Sequence, residues 1–352
     1  MRIEDLDTPA LTVDLDAVER NIASVQARCD EAGLALRPHI KTHKLPALAH
    51  LQVRAGAVGI ACQKLGEAEV MSAAGLRDIL MTYPIVGRSK AERFAALARQ
   101  ATMAAVGDSD VVARGLSAAL DAVGAEADFL VECDTGFGRT GVQTPEAAAE
   151  LAALADSLPG LRFAGFMTYP TLSGTGAWLE AAAELAAARG LTPRWVSGGG
   201  TPTQRWEATR DAPVLTEVRA GTYVYGDRMC IADGSVALED CALRLRVTVV
   251  SRPTPDRAII DAGSKALTSD TAPSLDGYGH VVEYPAARIP MLNEEHGYVD
   301  LSACDARPQV GEALTIVPNH ACGTTNMHDE VAAHRRGEVV AVWPIAARGK
   351  LR

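Results

Sequence analysis

Short apolar runs alternate with longer, alanine-rich stretches over the first two-thirds of this chain. Ala10-Leu11-Thr12-Val13 reads as a strand, and residues 15–32 carry apolar positions at helical spacing until Gly33 ends them. Leu34-Ala35-Leu36 opens the next strand. The pair then recurs. Ala57-Val58-Gly59-Ile60-Ala61 precedes a helical stretch over 66–74, and Asp78-Ile79-Leu80-Met81 precedes one over 90–99. Phe129-Leu130-Val131-Glu132 precedes 145–158, and Phe163-Ala164-Gly165-Phe166-Met167 precedes 176–189. Regular β-then-α order predicts a parallel sheet, and the number of units predicts a closed (β/α)8 TIM barrel, an α/β fold.

After about Asp240 the texture changes. Leu243-Arg244-Leu245-Arg246-Val247-Thr248-Val249 alternates with period two. Arg257-Ala258-Ile259-Ile260, Ala313-Leu314-Thr315-Ile316-Val317 and Val339-Val340-Ala341-Val342-Trp343 are further short strands, punctuated by Gly and Pro with no long helix. This predicts a C-terminal antiparallel β-domain. The expected organisation is a barrel over 8–238 and a β-domain over 239–352, with residues 1–7 left to pack on the second.

Composition narrows the class without naming a chemistry. At 352 residues, 48% hydrophobic and 22% charged, the chain can bury a large core and is not a disordered segment. A net charge of −10 argues against a general nucleic-acid binder but leaves room for a local basic pocket. The seven cysteines are odd in number and scattered, with no Cys-x-x-Cys, so the expected location is a reducing cytoplasm without disulfides. The acidic start Met1-Arg2-Ile3-Glu4-Asp5-Leu6-Asp7 lacks the apolar run of a signal peptide, and no apolar run approaches the ~20 residues of a membrane span. The expected partner is a small molecule, with neither nucleic acid nor membrane involved.

Candidate chemistry concentrates where predicted strands end. Leu36-Arg37-Pro38-His39-Ile40-Lys41-Thr42-His43-Lys44 places a lysine where a strand opens into a loop, between two histidines. Strand ends at the C-terminal face of a barrel are where catalytic groups collect. Nearby positive charge suits an amine to Schiff-base chemistry. Read without chemistry, the segment is a solvated basic turn. Ser197-Gly198-Gly199-Gly200-Thr201-Pro202-Thr203 follows a late strand, and consecutive glycines let a backbone approach a phosphate; its other reading is a tight surface turn. Asn319-His320-Ala321-Cys322 follows the strand ending at Val317-Pro318. On an extended segment His320 and Cys322 point the same way, and imidazole with thiolate makes a good pair of zinc ligands. A lone His-x-Cys is otherwise a coincidence of composition.

Arg37-Pro38-His39-x-Lys41-Thr42-His43-Lys44 resembles the cofactor-lysine motif of the D-threonine aldolase and D-serine dehydratase family, pyridoxal 5'-phosphate enzymes built like alanine racemase. The resemblance runs from about Asp7 to the C-terminus. It implies an alanine-racemase-type barrel with a C-terminal β-domain and assigns the cofactor to Lys41. Lys44 is then a local charge partner. By the same resemblance the phosphate lies on Ser197, Gly199, Gly200 and Thr201, and on the backbone of Gly221 and Thr222. Glu217-Val218-Arg219-Ala220-Gly221-Thr222-Tyr223-Val224-Tyr225 is similar to the last barrel strand of that family. This sets Arg219 against the pyridine nitrogen, with Tyr223 in the cofactor site. An always-charged guanidinium there keeps the ring nitrogen unprotonated and the ring a weaker electron sink. Asp134-Thr135-Gly136-Phe137-Gly138-Arg139-Thr140-Gly141 points to Arg139 near the cofactor's phenolic oxygen, and Tyr169 to a further contact.

Pro318-Asn319-His320-x-Cys322 resembles the divalent-metal site of D-serine dehydratases, which implies Zn²⁺ or Mn²⁺ on His320 and Cys322 gripping a substrate β-hydroxyl. The implied reaction is retro-aldol cleavage of a D-β-hydroxy-α-amino acid to glycine and an aldehyde. The alternative is dehydration of D-serine or D-threo-3-hydroxyaspartate to a keto acid and ammonia. A racemase and a non-catalytic cofactor-binding protein are disfavoured by the metal pair and by the β-domain. Two features pull apart. Cys62-Gln63-Lys64, with Glu67, is similar to the aldolases, whereas Pro170 follows Tyr169 where aldolases of this type carry a histidine proposed as base. Asp261-Ala262-Gly263-Ser264-Lys265 and Glu294-Glu295-His296-Gly297 also match the family, with structural or site-lining roles implied. A cytoplasmic homodimer is expected.

Overall fold

The computed structural model describes residues 1–201 and 203–352, with the backbone alone at 203–205. In chain order the strands and helices are β1 (Ala10–Asp14), α1 (Leu15–Glu31), β2 (Ala35–Leu36), α2 (Pro46–Arg54), β3 (Ile60–Cys62), α3 (Leu65–Ala73), β4 (Asp78–Met81), α4 (Arg88–Ala98), β5 (Thr102–Gly107), α5 (Asp110–Asp121), β6 (Ala127–Cys133), α6 (Pro145–Ser157), β7 (Leu161–Thr168), α7 (Thr175–Ala187), β8 (Trp195–Gly198), α8 (Thr203–Arg210) and β9 (Glu217–Val218). Then follow α9 (Arg228–Ala232), β10 (Leu243–Thr254), β11 (Arg257–Ile260), α10 (Ser264–Leu267), β12 (Gly279–Val281), β13 (Arg288–Leu292), β14 (Gly297–Asp300), β15 (Ala313–Pro318), α11 (Ala321–Met327), β16 (Glu330–Arg335) and β17 (Glu338–Pro344). The chain divides into two compact units. One holds Val25–Lys41, Pro46–Gly221 and Lys350–Arg352; the other holds Met1–Ser24, Thr42–Leu45 and Thr222–Gly349.

The first unit is the expected barrel. Its eight strands run in the order β2, β9, β8, β7, β6, β5, β4, β3, every neighbouring pair parallel. Val58 N–H to Leu36 O (3.0 Å) and Ala61 N–H to Pro38 O (2.9 Å) join the two ends. Closure removes both sheet edges. Leu80, Ala104, Val106, Leu130, Ala164 and Met167 form one buried cluster, with Trp195 packed against it. Ala164 and Met167 share it although they lie three apart on one strand, because the register against β6 slips between Phe129 and Leu130. That bulge adds one residue and resets the alternation of β7. Gly165 sits in it with φ of +153°, and a Cβ there would lie 1.7 Å from the Trp195 carbonyl oxygen on β8. Only glycine fits.

The second unit departs from expectation in two ways. β1, read as the strand that opens the barrel, pairs instead with β10 (Ala10 opposite Arg246) and with β16 (Thr12 opposite Ala332). Its alternation is that of any half-buried strand, and pairing alone decides which sheet receives it. The β1–β16 pair is parallel, so the sheet is mixed rather than purely antiparallel. Its path is β13, β14, β11, β10, β1, β16, β17, with β15 added on β10 and β12 on β15. Leu243, Leu245, Val247 and Val249 of β10 are fully buried, as their period-two spacing requires. Asp261 ties β10 down by accepting from the Thr248 N–H (2.8 Å) and the Thr8 hydroxyl (2.6 Å). Lys265 forms exposed ion pairs with Glu294 (2.9 Å) and Glu295 (2.7 Å), so these two matching segments serve the fold.

Candidate active site

Lys41 lies in a single 3₁₀ turn, Ile40–Thr42, just beyond β2. The segment is not a solvated turn: Lys41 is half-buried, and Arg37, His39, Thr42, His43 and Lys44 are buried. His39 Nε2 lies 3.1 Å from Gln63 Oε1 and 3.0 Å from Thr82 Oγ1, which locks the ring beside the lysine turn. The amine of Lys41 lies 5.8 Å from the centre of the Tyr169 ring, and the Arg139 guanidinium lies 5.1 Å from the same ring. Three predicted residues from three different βα loops of the barrel unit therefore meet around one aromatic ring. Asp134 shapes the arginine's loop by accepting from the backbone N–H groups of Gly138, Gly136 and Phe137. Those donors hold its carboxyl below the usual carboxylate range.

Beneath this lies a buried charged row that the sequence reading did not assemble. Arg37 Nε donates to Glu217 Oε2 (2.7 Å), and the Ser197 hydroxyl donates to Glu217 Oε1 (2.6 Å). Arg219 Nη1 donates to Ser197 Oγ (3.2 Å), and Arg219 Nη2 to Thr168 O (2.5 Å). Burial pushes the pKa of Arg219 down to about 10 against the pull of Glu217, which leaves it a cation at neutral pH. Its position just after β9 and its double anchorage fit a fixed positive charge. Ser197, expected in the phosphate segment, is fully buried, and its hydroxyl donates to Glu217 and accepts from Arg219.

The glycine run after β8 has the shape of an anion cradle. Gly199 and Gly200 have φ of +94° and +155°, and a Cβ on Gly199 would lie 2.7 Å from Val218 Cγ1. Gly199 N–H is held by the Thr171 hydroxyl at 2.5 Å, a residue that no motif announced. Thr201 is half-buried beside these glycines, Gly221 is half-buried after β9, and Pro202 lies outside the described residues. On the other side of the barrel mouth a cleft of about 430 Å³ is lined by Thr82, Tyr83, Lys90, Glu132, Arg139 and Thr140 among others. Glu132, at the end of β6, accepts the Thr140 hydroxyl on Oε1 (2.7 Å), while its Oε2 is sealed without a partner. Burial holds this carboxyl above its ordinary pKa. An acid at the end of the apolar run Phe129-Leu130-Val131 was the available signal. Glu67 accepts from Gln63 N–H (2.8 Å) and Lys64 N–H (3.1 Å), capping α3, which is the structural alternative for that segment.

In the second unit the His-x-Cys pair differs from its expected geometry. The extended backbone stops at His320 (φ −139°, ψ 104°), and Cys322 lies in the first turn of α11. Asp227, buried, causes the turn by accepting the Ala321 N–H at 2.9 Å between the two residues. The side chains still meet. The hydrogen bond with Cys322 holds the His320 imidazolium up, to about 10, against burial, with Asp270 adding to it. Cys322 Sγ lies 3.2 Å from the Thr42 hydroxyl and 3.9 Å from the Thr222 hydroxyl. Tyr223 and Tyr225 are buried nearby in sequence, with His43 edge-on to Tyr225 at 6.4 Å between ring centres. Among the described residues no group of three or more His, Cys, Asp or Glu could hold a metal ion.

The alanine racemase N-terminal domain profile matches residues 13–229, and a serine dehydratase domain profile matches residues 242–334. A D-threonine aldolase from Arthrobacter sp. is 36% identical, covering 98% of this chain and 93% of its own. The chain belongs to the D-threonine aldolase and D-serine dehydratase family. A D-threo-3-hydroxyaspartate dehydratase from Delftia sp. is 35% identical over 91% of this chain and 92% of its own. The crystal structure of D-threonine aldolase from Filomicrobium marinum superposes with a TM-score of 0.90 at 34% identity, covering 100% of this chain and 98% of that one. The protein is therefore an alanine-racemase-like lyase of the fold-type III class. No helix among the described residues is long and apolar enough to cross a membrane.

Proposed function

We propose that this lyase binds pyridoxal 5'-phosphate at Lys41 and a divalent metal at His320 and Cys322, and cleaves a D-β-hydroxy-α-amino acid of the D-threonine type to glycine and an aldehyde. The observation that carries the reading is the meeting of His320 and Cys322. An imidazole and a thiol in contact are a borderline-soft donor pair that suits a Lewis acid, and racemisation has no use for one. The barrel unit fits the cofactor. It offers a lysine against Tyr169, a cradle that a Cβ would fill at Gly199, and a clamped cation at Arg219. Bound there, the cofactor supplies an electron sink for the bond broken at the substrate's α-carbon.

The chain's own groups do the rest. Lys41 holds the cofactor and, once released, accepts or returns a proton at the α-carbon. Gly200, Thr201, Gly221 and Thr222 present backbone and small polar groups to the phosphate, and Gly199, its own N–H taken by Thr171, lets the backbone turn toward it. Arg219 would supply a fixed positive charge to the cofactor ring, and Arg139 and Tyr169 would help to hold it. His320 and Cys322 would hold the cation, whose chemistry would be to polarise the substrate's β-hydroxyl.

Dehydration is the second reading, favoured by Pro170 after Tyr169, where no side chain can take the hydroxyl proton. Product analysis with D-threonine and D-serine separates the two, with cofactor and Zn²⁺ or Mn²⁺, before and after chelation. The expected outcome is glycine plus acetaldehyde from D-threonine, lost on chelation and in Lys41→Ala. A keto acid plus ammonia would overturn the aldolase in favour of the dehydratase. The proposal includes a homodimer, checked by sedimentation of the same preparation.

A further inference from the structure

A carboxylate outside every motif is fastened to the proposed metal ligand. Asp270 Oδ2 lies 2.6 Å from His320 Nδ1, fifty positions away in the chain. This is not a chance meeting of two mobile side chains. The Asn319 side-chain amide donates to Asp270 O (2.9 Å) and to Gly277 O (2.8 Å), so the residue preceding His320 grips the backbone of Asp270. Arg228 donates to Asn319 Oδ1 (2.7 Å) and fixes that amide's orientation. Asp270 N–H donates to the Thr268 hydroxyl (3.2 Å), and Thr268 itself has a φ of +67°, a strained value for a β-branched residue. The Thr324 hydroxyl on α11 donates to Leu267 O (3.3 Å). Room for the carboxylate is reserved at Gly323, where a Cβ would lie 3.0 Å from Asp270 Oδ2 and 2.9 Å from Thr268 Cγ2. These hydrogen bonds hold a short loop so that one carboxylate oxygen meets one ring nitrogen.

An imidazole has two nitrogens, and a metal can take either. A carboxylate on one nitrogen keeps the proton there, orients the ring and makes the other nitrogen the better ligand. We propose that Asp270 is a positioning residue for the metal: it holds the Nδ1–H of His320 and thereby presents Nε2 as the ligating nitrogen beside Cys322. The inference rests on the metal reading above. Asp270 is half-exposed, so its replacement spares the core.

The test is direct titration of the metal-stripped, full-length protein with Co²⁺ and, in competition, Zn²⁺. Visible absorption reads the ligand field and the thiolate charge-transfer band of Cys322. Asp270→Asn, which keeps an oxygen for the Nδ1–H but loses the charge, is expected to weaken binding by about tenfold. Asp270→Ala, which removes the partner, is expected to weaken it by about a hundredfold and to alter the Co²⁺ spectrum. Wild-type affinity and an unchanged spectrum in both variants would overturn the proposal. Cys322→Ser and His320→Ala separate this from failure of the metal reading. If they bind Co²⁺ as the wild type does, the metal is elsewhere and both ideas fall. If they lose it while Asp270→Ala keeps it, only the role of Asp270 falls. Near-UV circular dichroism of each variant without metal confirms that a loss reflects the site and not the fold.

Discussion

Replacing Arg37 by methionine leaves a charge stranded inside the barrel, and the structure sets the size of the effect. Arg37 has two acidic partners in different surroundings. Glu217 is 3% exposed and bonded at 2.7 Å, whereas Asp78 is 46% exposed and bonded at 2.5 Å. The solvent-facing half is worth at most about 1 kcal/mol. For the buried half, charges about 4 Å apart at an effective dielectric near 20 interact by about 4 kcal/mol. Removal of one partner of a buried pair costs about 3–5 kcal/mol, because the other charge stays without compensation. Glu217 would keep only the Ser197 hydroxyl. Packing of Arg37 over the Trp195 ring, 4.8 Å to its centre, adds about 0.5–1 kcal/mol.

Arg37→Met is therefore expected to destabilise the barrel unit by about 3–5 kcal/mol, and Asp78→Asn by less than about 1. The double variant Arg37→Met/Glu217→Gln should recover only part of the loss, since Glu217 is no longer stranded but buried Arg219 then loses the pull of its carboxylate. Urea unfolding followed by tryptophan fluorescence is the assay, with Trp195 as the local reporter. Midpoints of the transition that carries Trp195 are compared across variants, because a chain of two units need not unfold in one step. Equal effects of Arg37→Met and Asp78→Asn, or a double variant as unstable as Arg37→Met, would refute the argument.

Two further outcomes follow from single positions. Burial raises the pKa of Glu132 above the 4.5 of a free glutamate, so the neutral acid suits the fold. The stability it contributes is fully present below that pH and is lost as pH rises through the folded value. Glu132→Gln, an uncharged isostere, should gain melting temperature relative to wild type as pH rises above the ordinary glutamate range; a difference that is flat or falls with pH contradicts this. Gly165→Ala should cost more than about 4 kcal/mol, because the new methyl collides with the backbone of β8 and no side-chain adjustment relieves it; soluble protein with a wild-type melting curve would show that the bulge can shift.

The sequence by itself determined the architecture and a set of candidate site residues. Barrel units are legible because helical and strand periodicities are local, and a lysine or glycine run placed just after an apolar run falls at a strand's end wherever that strand goes. Lys41 and Gly199 could therefore be named as candidates from the chain's pattern, whereas Arg139, Tyr169 and Arg219 are named by resemblance to the family. Tertiary structure decided what depends on which strands are neighbours. β1 has the alternation of a barrel strand and none of the pairing, and the alternation of Ala164 and Met167 is set by a bulge. Ser197 and Glu217 lie on adjacent strands 20 positions apart, and Arg37 meets Glu217 across 180. Asp270 reaches His320 only because Asn319 holds its loop in place, and Cys322 starts a helix because Asp227 accepts the N–H beside it. Each of these rests on a hydrogen bond between residues remote in sequence. Such bonds form only after the chain has folded, when burial makes an unpaired polar group costly and so dictates which partner it takes.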